Sequence, residues 1–159
     1  MCLLTYEGKH MTNILSTLKI TTAAKPRTQP EIVRRRDKLL RRLVEQRELA
    51  SANLAGRQYA PLRLRAIKDA YTGVSALKEV PIRVKQWWWT GEQGELLLSV
   101  RYGSKVLELA KGKCAVAVPD TKSLPNVIES LIAAVKEGEL DMQIQSASKR
   151  LREGFKKAP

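Results

Sequence analysis

From Pro30 to Gly56 no glycine or proline interrupts the chain, and apolar residues recur there at helical spacing. A continuous amphipathic helix is the one element this stretch allows. Thr28 is placed to cap the free amides, Glu31 three residues on to complete a capping box, and Pro30 suits the first turn. The helix is expected from about Pro30 to Leu54, with Gly56 as its C-terminal breaker. At about 100° per residue from Arg34, an apolar face spans about 140° to 280° and holds Ile32, Val33, Leu39, Leu40, Leu43, Val44, Ala50 and Leu54. Arg34, Arg35, Lys38, Arg41 and Arg42 form a basic ridge opposite it. Arg36 and Arg47 fall inside the apolar sector, where each must find a partner or extend its charge to water.

The ridge belongs to a wider asymmetry. The net charge is +13, and residues 25–68 alone carry 13 basic and 4 acidic groups. A field concentrated in this way attracts polyanions and speeds their capture. Nucleic acid is the favoured partner, an acidic protein surface the next, and simple solubility the last. The arginines near the helix N-terminus oppose the macrodipole, which an anion bound at those turns would explain.

Beyond residue 59 the pattern shortens to strand period. Leu62 to Ile67 alternates apolar and basic residues, and 68–80, with Thr72-Gly73, reads as a turn-rich connection. Ile82 to Trp89 reads as a strand, Gly91-Glu92-Gln93-Gly94 as a hairpin turn, and Leu96 to Tyr102 as the return strand. Gly103-Ser104 is a second turn, Lys105 to Leu109 a third strand, and Cys114 to Val118 a fourth after the Lys111-Gly112-Lys113 turn. Ser123 then starts a helix with Val127, Ile128, Leu131, Ile132 and Val135 on one stripe, ending at Gly138. A further helix carries Leu140, Ile144, Ala147 and Leu151, spaced to pack on the domain or on a second copy; the basic end from Lys149 is expected to fray.

The expected fold is α+β: an antiparallel four- to five-stranded meander with a long basic N-terminal helix and one or two C-terminal helices. Residues 1–27 form a flexible lead-in, within which Met11 offers a second start, leaving residues 1–10 as an upstream extension. The helix occupies 28–56, the sheet and helix core 59–138, and the C-terminal helix and basic tail 139–159.

Side chains alternate between the faces of a strand, so Arg83, Lys85, Trp87 and Trp89 share one face while Ile82, Val84 and Trp88 share the other. Arg101 and Ser99 can join the polar face, with Leu98, Val100 and Tyr102 opposite, and Lys111 and Lys113 stand at the end of the sheet. Cations interleaved with exposed rings suit single-stranded nucleic acid, whose phosphates meet the charges and whose unpaired bases stack on the rings. In the alternative reading Trp87 and Trp89 lie under the basic helix as a second core layer. Arg63 and Arg65 extend the basic set.

The order of Ile82–Trp89, Leu96–Tyr102, Ala110-Lys111-Gly112-Lys113-Cys114-Ala115-Val116 and the helix after Ser123 resembles the positive cofactor four transcriptional coactivator family. The resemblance covers residues 81–138 and rests on order and pattern. It implies a domain that dimerises through its helix and binds single-stranded DNA on curved sheets with basic and aromatic residues. The N-terminal basic helix has no counterpart in that family's core. The stretch Arg101 to Lys113 also resembles uncharacterised proteins of phages and proteobacteria, which implies a bacterial or phage setting.

Catalytic constellations are missing from the sequence. His10 is the only histidine, and no paired cysteines, phosphate-cradling loop or Gly-x-Gly-x-x-Gly occurs. The acids are scattered among cations, as in Arg41 with Glu45, and Cys114 is expected to be plain core. Two distant cysteines, Cys2 and Cys114, point to a reducing cytoplasm without a disulfide framework. No apolar run approaches the ~18 residues of a membrane span.

The function expected is therefore non-enzymatic binding of single-stranded nucleic acid, DNA favoured, without a cofactor. It would act as a homodimer in the cytoplasm of a bacterium or phage-infected cell, in replication, recombination or transcription, with a polymerase or similar protein as a further partner. The alternatives are a phage or plasmid protein that binds and inhibits or redirects a host protein, and a duplex-binding virion or nucleoid component.

Overall fold

The computed structural model describes residues 14–25 and 28–156. A short 3-10 turn at Ile14–Thr17 precedes an irregular, exposed stretch to Lys25. The expectations placed on Met1 to Asn13, including the second start at Met11, lie outside the described residues, as do those on Cys2 and His10. Helix α1 spans Glu31–Leu54, and Gly56 follows it with a positive φ of 66°. Its cap departs from the expected box. Pro30 is the N-cap and no side chain bonds the free amides; Glu31 instead accepts hydrogen bonds from Arg35 and Arg152. A carboxylate claimed by two guanidinium groups is not available to fold back on its own backbone.

The strands are short. β1 (Leu62–Lys68) and β2 (Ser75–Pro81) form a two-stranded antiparallel ribbon; β3 (Trp88–Thr90), β4 (Leu96–Leu98), β5 (Arg101–Tyr102), β6 (Lys105–Val106) and β7 (Val116–Val118) follow. The chain closes with α2 (Leu124–Glu137) and α3 (Asp141–Lys156). The α+β class with antiparallel strands is as expected, but no single meander exists. Among the described residues β3, β4 and β7 make one three-stranded sheet with β4 central, and β5 pairs with β6 alone. The return strand divides at Ser99 and Val100, both buried. There Ser99 donates its amide to the Trp87 carbonyl at 3.0 Å, and Val100 accepts the Leu107 amide at 2.8 Å, so the chain passes from one sheet to the next. Ser99, expected on the polar face, is enclosed at this crossing.

Two further corrections concern segments taken for something else. Residues 75–81, read as part of a connection, are the partner strand of 62–68. Residues 82–87, read as a strand, pair with no other strand among the described residues. Cys114, expected in the core, is exposed, because β7 begins only at Val116. The helix of the basic tail continues to Lys156.

One apolar core joins these pieces. Leu39 and Leu43 of α1, Ile128, Ile132 and Val135 of α2, and Ile144 and Ala147 of α3 close over Trp88, Leu98, Val100, Tyr102 and Leu107. The α2 stripe is as expected, and α3 packs on α1 and the β5–β6 hairpin of its own chain. Asp120 supports the start of α2 by accepting the Ser123 amide at 2.6 Å, and Gly138 ends it with a φ of 87°. That left-handed turn favours glycine, and a Cβ there would also displace the Arg36 guanidinium, 2.6 Å away.

Arg36 and Arg47 both find partners, one of the two outcomes their placement in the apolar sector allowed. Arg36 forms a bidentate pair with Asp141 in the first turn of α3, its Nε 2.7 Å from Oδ1. Arg47 reaches Glu129 of α2 at 2.6 Å and Glu48 at 3.0 Å. The hydrogen bonds from Arg36 hold the Asp141 carboxyl below its ordinary value of 3.8. A carboxyl lowered in the folded state stabilises fully above its ordinary value, and that contribution is lost as the pH falls through the lower, folded-state value. Asp141→Asn is therefore expected to lower the urea midpoint at neutral pH and to flatten its decline on the acid side. Midpoints measured from pH 7 down to about 3 check this; an unchanged acid limb would remove the pair from the account.

Candidate nucleic-acid interface

The C-terminal half of α1 is enclosed on more than its apolar face. Gln46, Leu49 and Ala52 are buried there, although they lie toward the side that carries the basic ridge. What covers them includes the segment 82–87, and Gln46 makes the attachment. Its Nε2 donates to the Lys85 carbonyl at 3.0 Å, and its Oε1 accepts the Trp87 amide at 3.0 Å. One buried glutamine thus supplies the donor and acceptor that a neighbouring strand would otherwise provide. At its other end the segment is tied by the Ile82 amide, which donates to the Pro61 carbonyl. The amides between, from Arg83 to Gln86, donate no hydrogen bond within the described residues.

Where the ridge side of α1 meets this segment a cleft of about 450 Å³ opens. Lys38 and Arg42 enter it from α1, Arg63 from β1, Arg83 and Lys85 from the segment, and Arg101 from β5. Leu39, Val84, Trp87 and Tyr102 supply its apolar lining. Among the described residues a single carboxylate, Glu45, lies with the six cations and pairs with Arg42 at 2.9 Å and with Arg63. The Arg63 pair also fixes the base of the ribbon to α1. Lys38 stands over the Tyr102 ring, 5.1 Å from its centroid, a favourable cation–π contact. Lys38, Arg83, Lys85 and Arg101 pair with no carboxylate among the described residues. Four cations without a carboxylate partner therefore face one concave surface, where their fields add.

A larger cavity of about 880 Å³ adjoins the cleft and shares Arg83 to Gln86 with it. Its remaining lining is mostly uncharged: Leu49, Asn53, Gln58, Tyr59, Ala60 and Pro81. Burial, with Glu45 and Glu48 nearby, raises the Tyr59 phenol above its ordinary 10.0, so it remains a hydrogen-bond donor at neutral pH.

The cleft gathers seven of the residues singled out in the sequence: Lys38, Arg42, Arg63, Arg83, Lys85, Trp87 and Arg101. The others lie elsewhere. Arg34 and Arg35 are on the first turns of α1, and Arg35 already binds Glu31. Of the cations that seemed to need an anion at this helix end, Arg35 and Arg36 thus meet carboxylates of their own chain, Glu31 and Asp141, while Arg34 pairs with none among the described residues. Arg41 donates to the Asp37 carbonyl, and its expected partner Glu45 is taken by Arg42 and Arg63. Arg65 is exposed on the ribbon, Lys111 lies beside Arg150 and Glu108, and Lys113 is exposed at the turn, bridged to Ala110.

The tryptophans are divided. Trp87 is half-buried against the core, Trp88 is buried, and Trp89 is 43% exposed. Trp89 stands at the β3–β4 hairpin beside Glu92 and Glu95, an acidic neighbourhood, so the pair of rings expected on one strand is not assembled. Gln46 and Glu45 were missed. Gln46 lies about 120° from Arg34 on the helical wheel, at the edge of the apolar sector, and a polar residue there is the signal that would have found it.

Among the described residues no group of three His, Cys, Asp or Glu side chains could hold a metal, and no helix is long and apolar enough to cross a membrane. Among curated proteins and among solved structures nothing matches the chain. Residues 3–144 match a family of unknown function (DUF6641), and the chain belongs to that family.

Proposed function

We propose that this chain is a non-enzymatic nucleic-acid-binding protein whose cationic cleft grips the backbone of a single strand, DNA favoured, in the cytoplasm of a bacterium or phage-infected cell. The observation that carries the reading is the convergence of six cations from four separate elements on one cleft with a single carboxylate. Cations placed only for solubility repel one another apart; bringing them together costs free energy that a bound polyanion recovers. The free amides of Arg83 to Gln86 add donors for phosphate oxygens beside those charges. A concavity of about 450 Å³ can take one phosphodiester strand along it. The adjoining cavity offers the amides of Asn53 and Gln58 and the Tyr59 phenol to unpaired bases. Trp87, in the lining, contributes a ring to the same surface. The chemistry is binding alone: protecting, presenting or remodelling strands.

Titration with labelled single strands and matched duplexes at several salt concentrations tests this. Four cations free of carboxylates predict a log–log salt slope near −2.8 for a single strand, at about 0.7 per phosphate. Tryptophan emission should change with saturation, because Trp87 lines the cleft. Tighter binding of the duplex would overturn the single-strand assignment. Absence of binding to either at low salt would overturn the nucleic-acid reading in favour of an acidic protein partner.

A further inference from the structure

The ribbon of β1 and β2 leaves an apolar face that nothing within the described residues covers. Cross-strand partners share a face, so Leu62 with Pro81, Leu64 with Glu79, Ala66 with Leu77 and Lys68 with Ser75 form one side. Leu62, Leu64 and Leu77 on that side are 61%, 65% and 71% exposed. The other side carries Arg63, Arg65 and Lys78, and there Arg63 is ion-paired to Glu45 of α1. The leucine side is therefore the one turned away from the body. No third strand among the described residues joins the ribbon, and an isolated two-stranded hairpin is marginal in water.

We infer that the leucine face of this ribbon is an interface between two copies of the chain. The charges on the face argue for a second copy over any other occupant. Lys68 lies to one side of the central Ala66–Leu77 rung and Glu79 to the other. A two-fold axis through that rung, running across the strands, sets Leu77 against its own copy and Leu64 along the stem of the partner's Lys68, and brings each Lys68 level with the partner's Glu79 on the neighbouring strand. The face is complementary to itself, as an isologous contact requires. Phosphates find one lysine and one glutamate there, which gives them no net attraction, and the basic side could not meet its own copy without facing like charges. The inference does not depend on what occupies the cleft.

Sedimentation velocity on the full chain, from micromolar to hundred-micromolar concentration, reads the outcome. The unmodified chain is expected to dimerise. Leu64→Lys with Leu77→Lys should give a monomer that keeps its cooperative melt, since both positions are exposed. Lys68→Glu alone and Glu79→Lys alone should each raise the dissociation constant about tenfold, because each places two like-charge contacts in the dimer. Together they should restore it. If the leucine variant loses its melt, the charge-swap series decides. A monomer across the whole range, a dimer that persists in the folded leucine variant, or a double swap no tighter than the single ones would each overturn the inference.

Discussion

Replacing Arg83 and Lys85 together by alanine is expected to weaken single-strand binding roughly 60-fold at about 50 mM salt. The magnitude follows from counterion release. Each phosphate contact multiplies the binding constant by about the −0.7 power of the salt concentration, and two contacts are lost. The same variant should flatten the salt slope by about 1.4, leaving about half of the value set by four cations. Both side chains are exposed and neither pairs with a carboxylate among the described residues, so the melting temperature should hardly move. Changing Arg34 and Lys113 instead, equally basic but outside the cleft, should leave the slope near its starting value. A uniform effect of all four would mean that diffuse charge, and not the cleft, sets the affinity. Fluorescence titration at three or more salt concentrations separates these outcomes.

The second large effect is expected from Gln46→Ala. Gln46 is 2% exposed and holds both the Lys85 carbonyl and the Trp87 amide, so the truncation strands two backbone groups and opens a void. At about 1–3 kcal/mol for each orphaned group, partly relieved by water, the loss of stability should be about 2–4 kcal/mol. For a chain of this size that is a fall in melting temperature of roughly 5–15 °C. The functional signature should differ from that of the arginine and lysine changes. Every cation remains, so the salt slope persists while affinity falls, because the segment carrying Arg83 and Lys85 is no longer held against α1. Urea denaturation with parallel titrations checks both parts. A stability loss under about 0.5 kcal/mol would show that the segment is held by its packing and not by this side chain.

The contrast between these two sites explains what was legible in the sequence. Helix α1 and its end at Leu54, the α2 stripe, Gly138 and the α3 spacing all follow from local periodicity, which a single segment carries within itself. That Arg36 and Arg47 had to pair or reach water was legible too, because a cation in an apolar sector has few alternatives; which of the two was not. The segment 82–87 looked like a strand since its alternation is genuine as far as Lys85: Ile82 and Val84 are half-buried, while Arg83 and Lys85 are exposed; it breaks at Gln86, exposed, and Trp87, half-buried. What receives its backbone is a glutamine 39 residues earlier in the chain, and no local pattern announces a side chain acting as a strand edge.

The ribbon was half legible for a related reason. Leu62 to Ile67 alternates clearly, but its partner Ser75 to Pro81 places Lys78 beside Glu79 and has only Val80 as a β-branched residue. Strand propensity there is weak, and the pairing comes from the partner strand. The single meander failed because sequential order does not determine which strand neighbours which. β4 takes β7 as its second neighbour once the chain crosses at Ser99. Of the candidate site, the residue types were readable and their convergence was not. Lys38, Arg63, Arg83 and Arg101 come from four elements, and only the fold decides that they share one cleft while Trp89 does not.

Backbone hydrogen exchange with and without a saturating single-stranded oligonucleotide tests the central claim most directly. The amides of Arg83 to Gln86 have no acceptor among the described residues, so in the free protein they should exchange rapidly. If phosphates occupy the cleft, those amides and the outer face of α1 around Lys38 and Arg42 should slow on binding, while the α2 amides stay unchanged. Protection confined to the first turns of α1 or to the Trp89 hairpin, with residues 83–86 still exchanging freely, would contradict the account.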